Sequence, residues 1–298
     1  MSLNALNIGI IAFDVFALVA SIPGNLFIFV NGLGWIQNKK LHVTEHLIFG
    51  ISVCNLCHGF LKTVSYLNYV LEGPARSVNE IQKYGTVMFL TVMSCNIWFC
   101  TWLCVYFCLK IVNINQRMYL GLQRNFNRIF PFLLLKSILG SFLVSLPVAL
   151  GDTYNATLHD SSETVSVNML TKIKYLYHLP IHSTISSLAF FLFFGSALTI
   201  VISLYRHMKT MQGNAEGSRS PSVEAHVRAA KTVTSLLTLS IIYFPSVLVA
   251  TLCRWDFNWL HSSSCFISIF HILSSLTLIK GNSKLNMALE KHFPCCPC

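Results

Sequence analysis

The sequence predicts an all-α, seven-transmembrane helix bundle with its N-terminus extracellular and its C-terminus cytoplasmic. Three observations carry this reading: a scarcity of charge, seven apolar runs of bilayer length, and a one-sided distribution of Lys and Arg. Of 298 residues, 11% are charged and 54% hydrophobic, and the mean hydropathy is +0.60. A soluble domain carries roughly a quarter charged residues. So few charges cannot coat a water-facing surface, and membrane lipid is the expected solvent. The net charge of +10 invites nucleic acid as a partner. The basic residues are scattered between apolar runs, however, which argues against a nucleic-acid surface and fits a positive-inside bias.

Crossing the hydrocarbon takes about 20 apolar residues. Runs of that length lie at about 8–33, 46–68, 84–112, 129–150, 181–205, 230–252 and 263–281. Ile8 to Val30 has no basic residue before it and no small-residue cleavage site after it, so it reads as a first span rather than a signal peptide. The second run is the weakest, because it holds His58, Lys62 and Asn68. Pro23, Pro147, Pro180 and Pro245 fall in or near spans, where neighbouring helices make proline tolerable. Residues 1–285 form one seven-transmembrane domain on this reading, and 286–298 a short tail.

Loop charges orient the bundle. Of the 21 Lys and Arg, fourteen fall on one side: Lys39, Lys40, Lys110, Arg117, Arg124, Arg128, Arg206, Lys209, Arg219, Arg228, Lys231, Lys280, Lys284 and Lys291. The other side holds five (Arg76, Lys83, Lys172, Lys174 and Arg254), and Lys62 and Lys136 lie within spans. The basic side is expected in the cytosol. The sequon Asn155-Ala156-Thr157 then falls in an external link, where a glycan on Asn155 belongs.

Several motifs resemble chemistry and read better as packing. Cys54-x-x-Cys57-His58 matches a c-type haem attachment pattern but lies within a span. Cys100, Cys104 and Cys108 recur every four residues and share one helix face, which suits small side chains packing against another helix. His178 and His182 flank Pro180 at a span boundary and make a poor metal pair. No cofactor and no metal are expected, and no hydrolase motif survives, since no Gly follows Gly195-Ser196. The external link 151–180 has no cysteine, whereas Cys253 and Cys265 flank the last external link and could pair. Cys295, Cys296 and Cys298 follow the last span closely and are candidates for palmitoylation, while Pro297 disfavours prenylation from Cys295. Asp14, within the first span, is either a vestibule contact or a functional carboxylate.

Seven spans with a short external N-terminus and a short tail resemble the frame of a G-protein-coupled receptor. Within that frame, ordered strings resemble the bitter taste receptors (type 2 taste receptors). The first span has Gly24-Asn25-Leu26-Phe27-Ile28. The third has Trp98-Phe99-Cys100-Thr101 and Leu109-Lys110-Ile111-Val112-Asn113. The fifth ends Ser203-Leu204-Tyr205-Arg206-His207, with Met211-Gln212 beyond. The sixth runs from His226 to Lys231-Thr232-Val233, and the seventh closes Leu278-Ile279-Lys280-Gly281-Asn282-Ser283-Lys284-Leu285. The chain departs from that family at Cys54-Asn55 (Ser-Arg), Ala189-Phe190 (Pro-Phe), Ser274-Ser275 (His-Ser), and at Phe89 and Met93 (Trp and Asn). These departures imply a divergent, non-mammalian member.

The resemblance implies a chemosensory receptor of the plasma membrane, not an enzyme. It implies small, mostly apolar bitter agonists bound in an extracellular-side pocket, and signalling through gustducin or a related inhibitory-type alpha subunit of a heterotrimeric G protein. Phe89, Met93 and Asn96 share one face of the third span. With Phe190, Tyr243, Val247, Ser268 and His271 they form the candidate ligand set, although Asn96 suits an interhelical hydrogen bond equally. Tyr243, just before Pro245, is the candidate activation switch. Lys110, Arg124, Arg206, His207, Lys209, His226 and Lys231 are the candidate G-protein contacts. Two other readings stay open: a vomeronasal type 1-like pheromone receptor, and a small transporter or channel, for which neither a repeat nor a midplane acidic pair is visible.

Overall fold

The computed structural model describes residues 5–37, 42–72, 80–112, 116–158, 164–212, 221–252 and 257–292. Every element among them is helical: α1 (Ala5–Gln37), α2 (Val43–Glu72), α3 (Glu80–Ile111), α4 (Arg117–Leu158), α5 (Thr164–Gln212), α6 (Pro221–Leu252), α7 (Phe257–Gly281) and α8 (Ser283–His292). Seven helices contain stretches long and apolar enough to cross a membrane: Val15–Gln37, Val43–Ser65, Tyr84–Ile111, Tyr119–Pro147, Pro180–Ser203, Lys231–Val249 and Ser262–Gly281. The predicted all-α bundle is therefore present.

Two links are shorter than the sequence implies. α4 runs on to Leu158 and α5 begins at Thr164, so most of the link expected at 151–180 is helical. α5 likewise continues to Gln212, and α6 starts at Pro221. These extensions are too polar to register as span, yet each continues the hydrogen-bond ladder of an apolar helix already formed. Elongating a helix costs far less than nucleating one.

Lipid-facing chemistry is visible in what stays exposed. Phe16, Phe60, Phe132 and Phe191 are 69%, 69%, 66% and 68% exposed on four different helices. Water would not tolerate so many bare aromatic rings around one bundle, whereas hydrocarbon does. The interior centres on α3, which touches α2, α4, α5 and α6. Its cysteine stripe faces inward as expected. Cys100, Cys104 and Cys108 are buried, and Cys104 Sγ lies 3.6 Å from the Phe193 carbonyl of α5. In contrast, Cys54 and His58 are buried while Cys57 is exposed, so the haem-like string does not present one face.

Small residues set close approaches, two of them involving α7. A Cβ on Gly24 of α1 would collide with Ser275 of α7, and a Cβ on Gly281 would strike the Thr232 side chain of α6. Without a hydrophobic drive between helices in lipid, such backbone proximity supplies the packing contact.

One end of the bundle is tied by an acid. Glu45, at the third position of α2, accepts the backbone N–H of His42 at 3.0 Å through Oε2, the returning half of a capping box. Its Oε1 accepts Lys284 Nζ of α8 at 2.5 Å. α8 itself is capped by Asn282, whose Oδ1 accepts the N–H groups of Lys284 and Leu285 at 3.0 and 3.3 Å. Leu285 is fully buried and anchors the short helix. Glu45→Ala removes cap and ion pair together. It is expected to cost about 1–2 kcal/mol, mostly from the cap, because the half-exposed Lys284 makes a weak pair. Thermal unfolding of the detergent-solubilised chain checks this: Lys284→Ala should lower the midpoint by less than Glu45→Ala does.

Candidate functional site

Polar side chains inside the bundle are arranged in two layers, one helical turn apart. The deeper layer is a series of three asparagines, each 1% exposed. Asn96 Nδ2 of α3 donates to Asn55 Oδ1 of α2 at 2.6 Å. Asn55 Nδ2 donates to Asn25 Oδ1 of α1 at 2.8 Å. Asn25 Nδ2 then reaches the Ser21 carbonyl at 2.8 Å and the His271 carbonyl of α7 at 3.3 Å. Cys100 Sγ closes the series on Asn96 Oδ1 at 3.6 Å. Four helices are joined through amides whose donors and acceptors alternate.

The second layer follows from helical spacing. Asn55, His58 and Lys62 lie at i, i+3 and i+7 on one face of α2, as Phe89, Met93 and Asn96 do at i, i+4 and i+7 on α3. Moving one turn from the asparagines toward the end opposite α8 therefore brings the His58 ring against His271 (centroids 4.6 Å) and Phe89 (5.0 Å). Tyr243 of α6 stacks on Phe270 of α7 at 3.9 Å, and its hydroxyl lies 4.0 Å from the Met93 sulfur. Lys62 Nζ donates to Ser268 Oγ at 3.3 Å. The Nε2 atoms of His58 and His271 are buried without a hydrogen-bond partner.

Of the residues nominated from sequence, Phe89, Met93, Tyr243, Ser268 and His271 come together here. Val247 is buried one turn from Tyr243. Asn96 belongs to the deeper amide series. Phe190 packs elsewhere, 4.6 Å from Phe244 in an α5–α6 aromatic cluster that includes Phe194. Beside it Ala189 is fully buried, its carbonyl accepting Thr101 Oγ1 of α3 at 3.2 Å. Sequence reasoning missed His58, Lys62 and Phe270. The spacing from Asn55 was the available signal for the first two, masked by the haem-like string around His58.

At the α8 end, Lys110, Arg124, Arg206 and Lys231 are exposed, and Lys110 Nζ sits 5.1 Å over the Tyr106 ring. A cleft of about 320 Å³ lies at that end, lined by His42, Val43, His46, Tyr106, Asn127, Phe130, Pro131 and Leu134, away from the two polar layers. The side chains of His207, Lys209, His226, Asp14 and Asn155, and the whole of Cys253, Cys295, Cys296 and Cys298, lie outside the described residues. Cys265 is buried in α7. Among the described residues, no group of three or more His, Cys, Asp or Glu is placed to hold a metal ion.

A seven-span, lipid-exposed bundle with a short terminal helix and a polar seam through α1, α2, α3 and α7 has the architecture of a G-protein-coupled receptor. The family model described as "Taste receptor protein (TAS2R)" matches residues 1–296. Taste receptor type 2 member 41 of Pan paniscus is 28% identical over 287 residues, covering 94% of this chain and 92% of the relative. Member 8 of Pongo pygmaeus is 28% identical over 290 residues (93% and 92%), and member 9 of Macaca mulatta 28% over 280 residues (92% and 89%). The chain belongs to the taste receptor type 2 family. It is a multi-pass membrane receptor and not an enzyme.

Asn55 is the middle member of the amide series, so Asn55→Ala strands a donor on Asn96 and an acceptor on Asn25. Interhelical hydrogen bonds in membranes average about 0.6 kcal/mol, but stranded buried partners raise the cost toward about 1–3 kcal/mol. Thermal unfolding in detergent should show a larger loss for Asn55→Ala than for Ser65→Ala, an exposed residue of the same helix.

Proposed function

We propose that this chain is a bitter-compound receptor of the plasma membrane. It takes small, mostly apolar agonists in the half of the bundle opposite α8 and activates a gustducin-like heterotrimeric G protein. The observation that supports this most is the layer uniting Phe89, Met93, Tyr243, Ser268 and His271. Phe89 and Met93 lie five and nine residues into the Tyr84–Ile111 span, and His271 nine residues into Ser262–Gly281. At 1.5 Å per residue they sit about 8–14 Å below the same face, within reach of a vestibule in a core about 30 Å thick. That face is extracellular if the basic end is cytosolic. A mostly apolar wall with a few convergent polar groups is the usual make-up of a small-molecule site.

Activation is proposed to run through α6. Tyr243 is 1% exposed and held by its stack on Phe270, and Pro245 removes the backbone bond to the carbonyl of Ile241, one turn earlier. An agonist that parts Tyr243 from Phe270 would free α6 to tilt. At the other end, the Thr232–Gly281 contact holds α6 against α7, and it must open if the G protein is to insert. Exposed Lys110, Arg124, Arg206 and Lys231, together with His207, Lys209 and His226, are the proposed contacts for the alpha subunit.

Cells expressing the chain with a gustducin-like or promiscuous alpha subunit should show calcium responses to part of a panel of bitter compounds, and none when the alpha subunit is omitted. Uptake or current independent of G protein would overturn the proposal. Tyr243→Phe keeps the ring and removes the hydroxyl. It should raise the agonist concentration for half-maximal response about tenfold, the worth of one buried hydrogen bond made on activation. Unchanged dose–response curves at equal surface expression would remove Tyr243 from the switch.

A further inference from the structure

The cleft at the α8 end is bordered by cations and opens onto lipid. Asn127, Phe130, Pro131 and Leu134 recur at i, i+3, i+4 and i+7, so one stripe of α4 forms its wall. His46 of α2 faces that stripe, its ring meeting Phe130 edge-on at 6.1 Å. Tyr106 of α3 also lines the cleft, and the Lys110 ammonium lies 5.1 Å above that ring. Arg124 stands one turn before Asn127, Arg128 follows Asn127 directly, and both are exposed. Among the described side chains the acidic ones are Glu45 and Glu290. Glu45 has both oxygens committed, to the His42 N–H and to Lys284, and Glu290 accepts Asn286 Nδ2 within α8. Three basic side chains thus border the cleft, and the described acids are engaged elsewhere.

Helix length places the cleft at the membrane surface. The apolar stretch Tyr119–Pro147 has 29 residues, about 43 Å at 1.5 Å per residue, against a hydrocarbon core of about 30 Å. Exposed arginines avoid hydrocarbon, so the excess lies at the Arg124–Arg128 end and the cleft falls at headgroup level. Beyond it, Pro131, Leu135, Ile138 and Phe142 continue at i, i+4, i+7 and i+11, the last three 55%, 44% and 39% exposed. A basic mouth with an apolar track leading from it into the bilayer complements an anionic head carrying acyl tails. We infer that the cleft seats the headgroup of a polyphosphorylated phospholipid, a phosphoinositide, with its acyl chains along α4. The inference rests on the basic end facing the cytosol, as in the receptor reading, because anionic lipids belong to the cytoplasmic leaflet and basic pockets between spans hold their heads. Lys110, Arg124 and Arg128 take the phosphates through charge-assisted bonds. The Asn127 amide and the His46 ring are polar partners for the hydroxyls of the inositol. Three cations suit a head with several negative charges better than phosphatidylserine, which has a single net charge. Phosphatidylcholine, with none, gains nothing from them.

The test uses the detergent-solubilised chain and short-chain (dioctanoyl) lipids, with thermal unfolding as the readout. Phosphatidylinositol bisphosphate should raise the midpoint, phosphatidylserine should need about tenfold more to do so, and phosphatidylcholine should leave it unchanged. Free inositol trisphosphate separates a lipid from a soluble phosphate. Lacking acyl chains to lie on Leu135, Ile138 and Phe142, it should bind at least about tenfold more weakly than the lipid. Arg124→Gln and Arg128→Gln should each raise the bisphosphate concentration for half-maximal stabilisation about tenfold, the factor one charge-assisted hydrogen bond supplies. Asn127→Trp, which fills the cleft from an exposed position, should abolish stabilisation. Lys231→Gln removes an exposed cation of the same end on α6, which does not line the cleft, and should shift that concentration less than about twofold. Equal stabilisation by phosphatidylcholine, or a Lys231→Gln loss as large as those of the arginine variants, would overturn the site. So would trisphosphate as effective as the lipid, or no stabilisation at all. No bitter compound or G protein enters these measurements, so their failure leaves the receptor reading intact. Lipid binding without any calcium response in the cell assay would sink the receptor reading and leave the site.

Discussion

An amide in hydrocarbon must find a partner within the protein, because no water can take the place of one. Asn25, Asn55 and Asn96 meet that demand in series, each accepting on its oxygen and donating from its nitrogen. The series is short of alternatives. Sliding α2 by one residue against α1 or α3 would turn Asn55 through about 100° and strand both neighbours. Individual bonds of this kind are worth about 0.6 kcal/mol on average, so the series does little to hold the bundle together. Its effect is to penalise every other register of α1, α2, α3 and α7. Asn25 ends on the His271 carbonyl, and that contact fixes the height at which the His271 side chain meets His58. The outer layer is therefore placed by the inner one.

Packing in the rest of the molecule follows the same division between specification and strength. Cohesion comes from contacts that need no charge: the fully buried Ile28, Leu47, Ile51 and Leu103, the cysteine face of α3, and the glycine approaches at Gly24 and Gly281. Direction comes from a few polar ties at helix ends and crossings. Glu45 joins the start of α2 to α8, Thr101 ties α3 to the Ala189 carbonyl of α5, and Trp102 Nε1 donates to Ser137 Oγ of α4 at 2.9 Å. Ala at 189 suits this crossing, since its small side chain lets α5 approach α3 closely while its backbone supplies the acceptor.

The seven spans were legible because span length and charge exclusion are properties of single segments, readable without knowing a neighbour. Helix extensions beyond the lipid were not, since the segments 151–158 and 164–179 lack the apolar signal and owe their helicity to the elements they prolong. Within the site, Phe89 and Met93 could be read from spacing along one helix. His58 could not, because Cys54, Cys57 and His58 advertise a chemistry that a span forbids, and the ring's true neighbours belong to α3 and α7. Asn96 was equally suited to a ligand or to another helix. The choice depended on Asn55, and the departure from the family's arginine at that position is what leaves an amide there to complete the series.

Tyr243 joins the two ends of the molecule. Pro245 withdraws the N–H that would have bonded the Ile241 carbonyl, so Tyr243 sits in the turn of α6 that lacks this backbone hydrogen bond. Eleven residues separate it from Thr232, a lever of about 16 Å at helical rise. A tilt of about 10° at that turn would carry Thr232 about 3 Å, enough to break its contact with Gly281. That approach is close, because a Cβ on Gly281 would collide with the threonine side chain. An inward shift of α6 here would have to displace the Thr232 side chain from Gly281. On the switch we propose, loosening of the Tyr243–Phe270 stack is expressed at the far end as opening.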